Sequence, residues 1–210
     1  MGVARSMARV SLRAAVATLA ISAVAVAGWV RHEGGGPTTV ADDGTILHHP
    51  YIPTQGDVPT IGYGSTRYED GRPVRLTDPP ITRQRAESLA RALHAEHERE
   101  FKASLPGAVL SQVEYDIYLD FIGQYGIGNW RKSSMRRHIL AGEHRRACDA
   151  LLMYRFAAGY DCSTMIDGKP NRRCYGVWTR QQERHARCIA EQDRIEWLAG
   201  TQLESFEVTQ

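Results

Sequence analysis

No stretch of this sequence narrows the possible folds more than Pro59-Thr60-Ile61-Gly62-Tyr63-Gly64-Ser65-Thr66. Its glycines alternate with an apolar and an aromatic residue, as expected where strand backbone approaches a ligand or another chain closely, because glycine has no Cβ and enters positive φ freely. The region leading to it begins with the breaker-rich His32-Glu33-Gly34-Gly35-Gly36-Pro37 and continues polar and β-branched to Thr66. These are signals of short strands and hairpins, so a small β lobe is expected at about residues 34 to 80.

From Ile81 the periodicity changes. Thr82 can cap a helix, and Ala86, Leu89, Ala90, Leu93 and Ala95 recur near helical spacing through a charged segment. One long connecting helix is predicted there. After the break at Pro106-Gly107, helices are expected at Leu110 to Tyr125, Ser133 to Leu140 and Ala147 to Phe156, separated by Gly126, Gly128 and Gly142. A last helix should run from about Thr179 to Ala199, with a polar tail at 201–210. A small β lobe followed by a larger helical lobe is an α+β architecture.

A chain of 210 residues holds one domain of this kind plus an extra segment. Positive and negative side chains are interleaved and the formal net charge is only +2, so the sequence lacks the footprint of a nucleic-acid-binding protein. Cys148, Cys162, Cys174 and Cys188 all fall in the C-terminal third, which favours two disulfides in a chain that leaves the cytosol. Spacing allows three pairings; Cys162 with Cys174 would close a polar loop, and Cys148 with Cys188 would join two helical segments. The spacing of the four cysteines supplies no Cys-x-x-Cys pair, so neither a metal nor a cofactor is expected. His48 and His49 precede Pro50 and read as an exposed loop pair, while Tyr115, Tyr118, Phe121 and Tyr125 have the spacing of a core-facing helix stripe.

Arg5, Arg9 and Arg13 form a positive leader ahead of Ala14 to Val30, which carries no charge. Such a segment engages secretion machinery or a membrane. Its length of about 25 Å as a helix is marginal against a hydrocarbon core of about 30 Å. Ala25-Val26-Ala27 before Gly28 has the small-x-small form of a cleavage site, which fits a cleaved signal peptide. The other reading is an uncleaved anchor over residues 1–31, so poor in Leu, Ile and Phe that it can leave the bilayer. Glu33 follows almost at once, which favours the second reading and places the chain first in the inner membrane facing the periplasm, then free in the periplasm.

Taken in order, Glu33-Gly34, the Thr60 to Thr66 string, Gln112, the aromatic segment Tyr115 to Phe121, Gly126-Ile127-Gly128, Ser133-Ser134-Met135, Phe156 to Gly159 and Gly176-Val177-x-x-Arg180-x-x-Glu183 resemble glycoside hydrolase family 24, the lysozymes of tailed phages. The resemblance runs from about Glu33 to Glu191. A weak anchor directly before the glutamate further resembles the signal-arrest-release endolysins of that family. It implies a lysozyme-like catalytic domain at about 32–200, acting as a monomer on peptidoglycan. The implied reaction is hydrolysis of the β-1,4 bond between N-acetylmuramic acid and N-acetylglucosamine, causing host lysis.

Glycosidic cleavage needs a proton donor at the leaving oxygen and a means to deliver water to an oxocarbenium-like centre. Glu33 fits the donor, since partial burial beside glycine would keep it protonated near neutral pH. Thr60 aligns with the family's site threonine, whose hydroxyl can hold the attacking water. The second carboxylate departs from the pattern: the family's aspartate position carries Pro53, followed by Thr54. Asp57 from the adjacent hairpin position, the inserted Asp42 or Asp43, or no second carboxylate remain open. Gly62, Tyr63, Gln112, Gln124 and Asn129 are candidate substrate contacts, while Arg180 and Glu183 suit a structural ion-pair network. A single-glutamate lytic transglycosylase and a wall-binding protein that has lost catalysis are the rival functions.

Overall fold

Helices dominate wherever the sequence supplies both a cap and a continuous apolar stripe. The computed structural model describes residues 12–25, 36–53, 56–157, 159–166, 168–170 and 173–207. In chain order these form β1 (Ala14–Ala15), β2 (Thr38–Val40), β3 (Ile46–His48), β4 (Ile81–Thr82), α1 (Arg83–Ser104), β5 (Val109–Leu110), α2 (Gln112–Lys132), α3 (Ser134–Leu140) and α4 (His144–Asp149). The short strands β6 (Phe156–Ala157), β7 (Tyr160–Asp161), β8 (Met165–Ile166) and β9 (Lys169–Pro170) precede the long α5 (Tyr175–Glu207).

Thr82 caps α1, its side chain accepting from the Arg85 amide, and Ser111 opens α2 with a reciprocal capping box to Glu114. Each cap satisfies amides that the first helical turn would otherwise leave unpaired. Along α1, Ala86, Leu89, Ala90 and Phe101 are buried, whereas Ala95 faces solvent. At about 1.5 Å per residue, its 22 residues give a strut of about 33 Å. Gly126, at φ 79° and ψ 156°, interrupts α2 and turns its last segment aside.

The main core lies in the helical lobe. Phe101, Tyr118 and Phe121 surround the indole of Trp130, with ring centroids 5.1, 5.4 and 6.4 Å away. The indole N–H donates to the Ser104 hydroxyl at 2.8 Å, so burial leaves it no unmet donor. A smaller core of Ile61, Val74 and Leu89 sits between the β lobe and α1. There β2, β3 and β4 form an antiparallel sheet, extending the β lobe to Thr82. Cys148 is bonded to Cys188, joining α4 to α5, and Cys162 to Cys174, closing the segment that carries β8 and β9.

The N-terminal segment corrects the membrane expectation. Among the described residues, no helix is long and apolar enough to cross a membrane. Ala14 and Ala15 instead pair with Leu110 and Val109, and Val16 enters the main core at 1% exposure. An alanine-rich run with little transfer energy gains more here, where backbone pairing and one well-buried valine add to polar anchoring. Arg13 donates to both oxygens of Glu114 and to Gln192 Oε1. Farther along, Ser22 donates through its amide and hydroxyl to Asp116, and the Ile21 amide donates to Glu98. Residues 12–25 are thus a strap across the helical lobe, and the expectation of inner-membrane anchoring is set aside.

Candidate active site

Thr60 sits where two short pairings meet. Its backbone exchanges two hydrogen bonds of 2.8 Å with Tyr51, and the next residue, Ile61, pairs with Ser65 around Gly62-Tyr63-Gly64. Gly62 has φ 58°, and a Cβ there would lie 2.7 Å from the Ala86 Cβ of α1. The glycine therefore seats the loop directly on the helix. Tyr63, half-buried, places its ring 5.3 Å from that of His48. His48 is 3% exposed at the end of β3, not part of an exposed loop pair, while His49 lies 2.8 Å from the Thr39 hydroxyl.

The Thr60 side chain is 4% exposed, and its hydroxyl donates to the Val58 carbonyl at 3.1 Å. With its one proton committed, the oxygen presents lone pairs and acts as an acceptor. A water held there would be oriented through its own O–H.

Glu33 lies outside the described residues. The first described residue after it is Gly36, at φ 64°, whose Cα lies under the Tyr51 ring; a Cβ would stand 2.4 Å from Tyr51 Cε1. Tyr51 therefore touches the incoming chain through its ring and Thr60 through its backbone. Asp57 is exposed, three residues before Thr60 on the same loop. Asp42 and Asp43 occupy the turn between β2 and β3, where the Asp43 carboxylate accepts from the Thr45 amide. That backbone hydrogen bond, with the Thr45 side chain, lowers the Asp43 pKa. β3 separates this turn from Tyr51 by on the order of 20 Å of extended chain.

The three amides do not converge. Gln112, in the first turn of α2, donates to the Ala20 carbonyl of the strap and to Asp116. Gln124, twelve residues or about 18 Å farther along, accepts at 2.6 Å from Arg184. Asn129 is exposed and donates to the Tyr125 carbonyl. Arg180 bonds Asp120 at 2.6 Å, within a network that also includes Arg184, whereas Glu183 is exposed on α5. Burial alone would raise the Asp120 pKa, but the two guanidiniums hold it below the usual carboxylate range. Sequence reasoning missed Glu114, Asp116, Asp120 and Arg184. The available signal was three carboxylates interrupting the apolar run of α2.

Comparison with known proteins agrees with this architecture. The model of the phage lysozyme family matches residues 44–176, a stretch that begins after Glu33. Comparison with curated protein sequences returns no relative. Among solved structures, a mutant of P22 lysozyme superimposes with a TM-score of 0.56 at 22% identity, covering 82% of this chain and 99% of that one. An endolysin from Escherichia coli O157:H7 phage FAHEc1 gives 0.57 at 19% identity, covering 81% and 94%. The muramidase domain of SpmX from Asticaccaulis excentricus gives 0.53 at 18% identity, covering 80% and 97%. At these identities the structural matches establish a lysozyme-like fold. With the family model spanning well over half of the sequence, the chain belongs to the phage lysozyme family of glycoside hydrolases.

Proposed function

We propose that this chain is an endolysin that hydrolyses the β-1,4 bond between N-acetylmuramic acid and N-acetylglucosamine in peptidoglycan. In this reading residues 32–200 are the catalytic domain, Glu33 protonates the leaving oxygen, and Thr60 holds the attacking water. The observation that carries it is the Thr60 hydroxyl, buried and with its proton spent on Val58, leaving an acceptor for that water. Family membership supports the substrate class. Glu33 comes three positions before Gly36, a reach of about 10 Å, and Gly36 abuts the tyrosine paired with Thr60. Asp57, on the Thr60 loop, is the second carboxylate in this reading; Asp42 and Asp43 sit at the other end of β3.

The test is turbidity clearing of purified wall by the wild type, Glu33→Gln and Asp57→Asn, with analysis of the fragments. Loss of a general acid should slow clearing by about 10²- to 10⁴-fold in Glu33→Gln. A reducing muramic end marks hydrolysis, and a 1,6-anhydro end would show transglycosylation instead. Undiminished clearing by Glu33→Gln would remove the proposed acid, and full activity of Asp57→Asn would remove the second carboxylate.

A further inference from the structure

Where the Thr60 string ends, the chain enters a second hairpin. The Val74 amide donates to the Thr66 carbonyl, Arg67 bridges to Pro73, and the Tyr68 amide donates to the Arg72 carbonyl around Gly71 at φ 82°. Between this hairpin and the middle of α1 lies a cavity of about 520 Å³, a volume that suits a small ligand. Leu89, Ala92 and Leu93 of α1 give it an apolar side, and Arg67 and Asp70 border it from the hairpin.

Most charged groups on its rim are already paired. Glu96 meets Arg99 at 3.4 Å, and Glu69 meets Arg85 at 2.7 Å. Arg67 and Asp70 differ. Arg67 donates from Nη1 to the Gly71 carbonyl at 2.9 Å and has no carboxylate partner among the described residues. Asp70 accepts from the Arg72 amide at 2.9 Å and has no cationic partner among them. Two unlike charges thus stand three positions apart, each held by the backbone of one turn and neither by the other. A ligand that satisfies both carries an acid and an amine. A polyanion would meet Arg67 but be repelled by Asp70, Glu69 and Glu96.

We infer that this cavity binds the peptide stem of the wall, Arg67 taking a stem carboxylate and Asp70 the amine of its diamino residue, with Leu89 and Leu93 against the aliphatic chain between them. This deepens the proposed function and rests on it. The stem hangs on muramic acid, the sugar whose bond would be cut beside Thr60. Ser65 pairs with Ile61, the residue after Thr60, and Arg67 follows two positions later, so its backbone lies within about 16 Å of Thr60. Three extended stem residues cover about 10 Å of that, and the arginine side chain supplies the rest. The cavity would distinguish wall glycan from the same sugars without peptide.

The experiment is titration calorimetry of the full chain with a synthetic stem of L-Ala, γ-linked D-Glu and diaminopimelate, with the same peptide acetylated on its side-chain amine, and with its carboxylates amidated. The proteins are the wild type, Arg67→Met, Arg67→Lys, Asp70→Asn and Arg83→Met. Arg67 is exposed and Asp70→Asn keeps an oxygen for the Arg72 amide, so these variants should fold. The wild type should bind the unmodified stem saturably, and Arg67→Met and Asp70→Asn should each weaken binding about fivefold, the yield of one exposed charged contact. Acetylating the amine should cost the wild type that factor and Asp70→Asn nothing; amidating the carboxylates should do the same to the wild type and spare Arg67→Met. A merely structural role would not give this pairing of variant with ligand group. Arg67→Lys keeps the charge and should recover part of the loss, while Arg83→Met removes an equal charge from the Glu87 pair outside the cavity and should bind as the wild type does. On soluble glycan bearing stems, Arg67→Met should raise KM about fivefold at nearly unchanged kcat, a difference that should vanish once an amidase has removed the stems. Absence of saturable binding by the wild type, or equal affinity in all variants, would overturn this inference, and wall clearing alongside would leave the proposed reaction standing. A wild type that binds the stem but never clears wall would overturn the proposed reaction instead.

Discussion

Glu114 is a carboxylate with no solvent exposure, and its charge is kept by neighbours alone. Burial by itself would raise its pKa, but His144, Arg13 and the Ser111 amide lower it from 4.5 to about 2. A depressed carboxylate stabilises the fold above its unfolded pKa, and that stability is lost as pH falls through the folded one. Chemical denaturation should therefore show stability declining between about pH 4.5 and 2, and Glu114→Gln should flatten this decline. At neutral pH that variant should lose about 3 kcal/mol, or about 10 °C in Tm, because it breaks a buried pair. Gly62→Ala should cost about 2 kcal/mol through positive φ and the 2.7 Å clash with Ala86, and should slow wall clearing by displacing Thr60. The glycine was visible as a place of close approach, but nothing local could say that the approaching body was α1. His48 was illegible for the same reason, since its burial comes from sheet pairing and Tyr63, both remote in sequence.

Elements were legible where local chemistry decided them. Thr82, Ser111 and Ser133 each cap a helix by accepting from the amide three residues on, and Gly126 breaks α2 where a positive φ is needed. The expected helix at Ala147 to Phe156 is different in structure: α4 ends at Asp149, a tight 3-10 turn covers Ala150–Met153, and Phe156 is already in β6. Tertiary partners take the carbonyls that continued helix would need, the Tyr154 oxygen accepting from the Tyr125 hydroxyl and the Arg155 oxygen from the Cys162 amide. The bond between Cys148 and Cys188 holds the end of α4, just before this turn, to α5 across a separation of 40 residues. Replacing both cysteines by serine should lower stability by about 4 kcal/mol, read as a fall in the urea midpoint at constant slope.

At the scale of the molecule, the α+β plan could be read from the change of periodicity at Ile81, which separates the β lobe from α1 and the helices beyond. The fate of residues 12–25 could not. Hydropathy describes what a segment would do in a bilayer, whereas its place in the fold depends on Glu98, Glu114 and Asp116, which come some eighty to a hundred residues later. Val16 makes the strap part of the main core, so Val16→Asp should destabilise the entire helical lobe by about 3 kcal/mol or more, with the CD and tryptophan fluorescence transitions shifting together.

The bond from Arg13 to Gln192 spans 179 positions. On a ribosome adding about 5 to 20 residues per second, an arginine made at the outset waits roughly ten to forty seconds for its glutamine. The lobe to which both belong is finished only when nearly everything between them has been synthesised, so its closure is a late event and its early chain needs safekeeping until then.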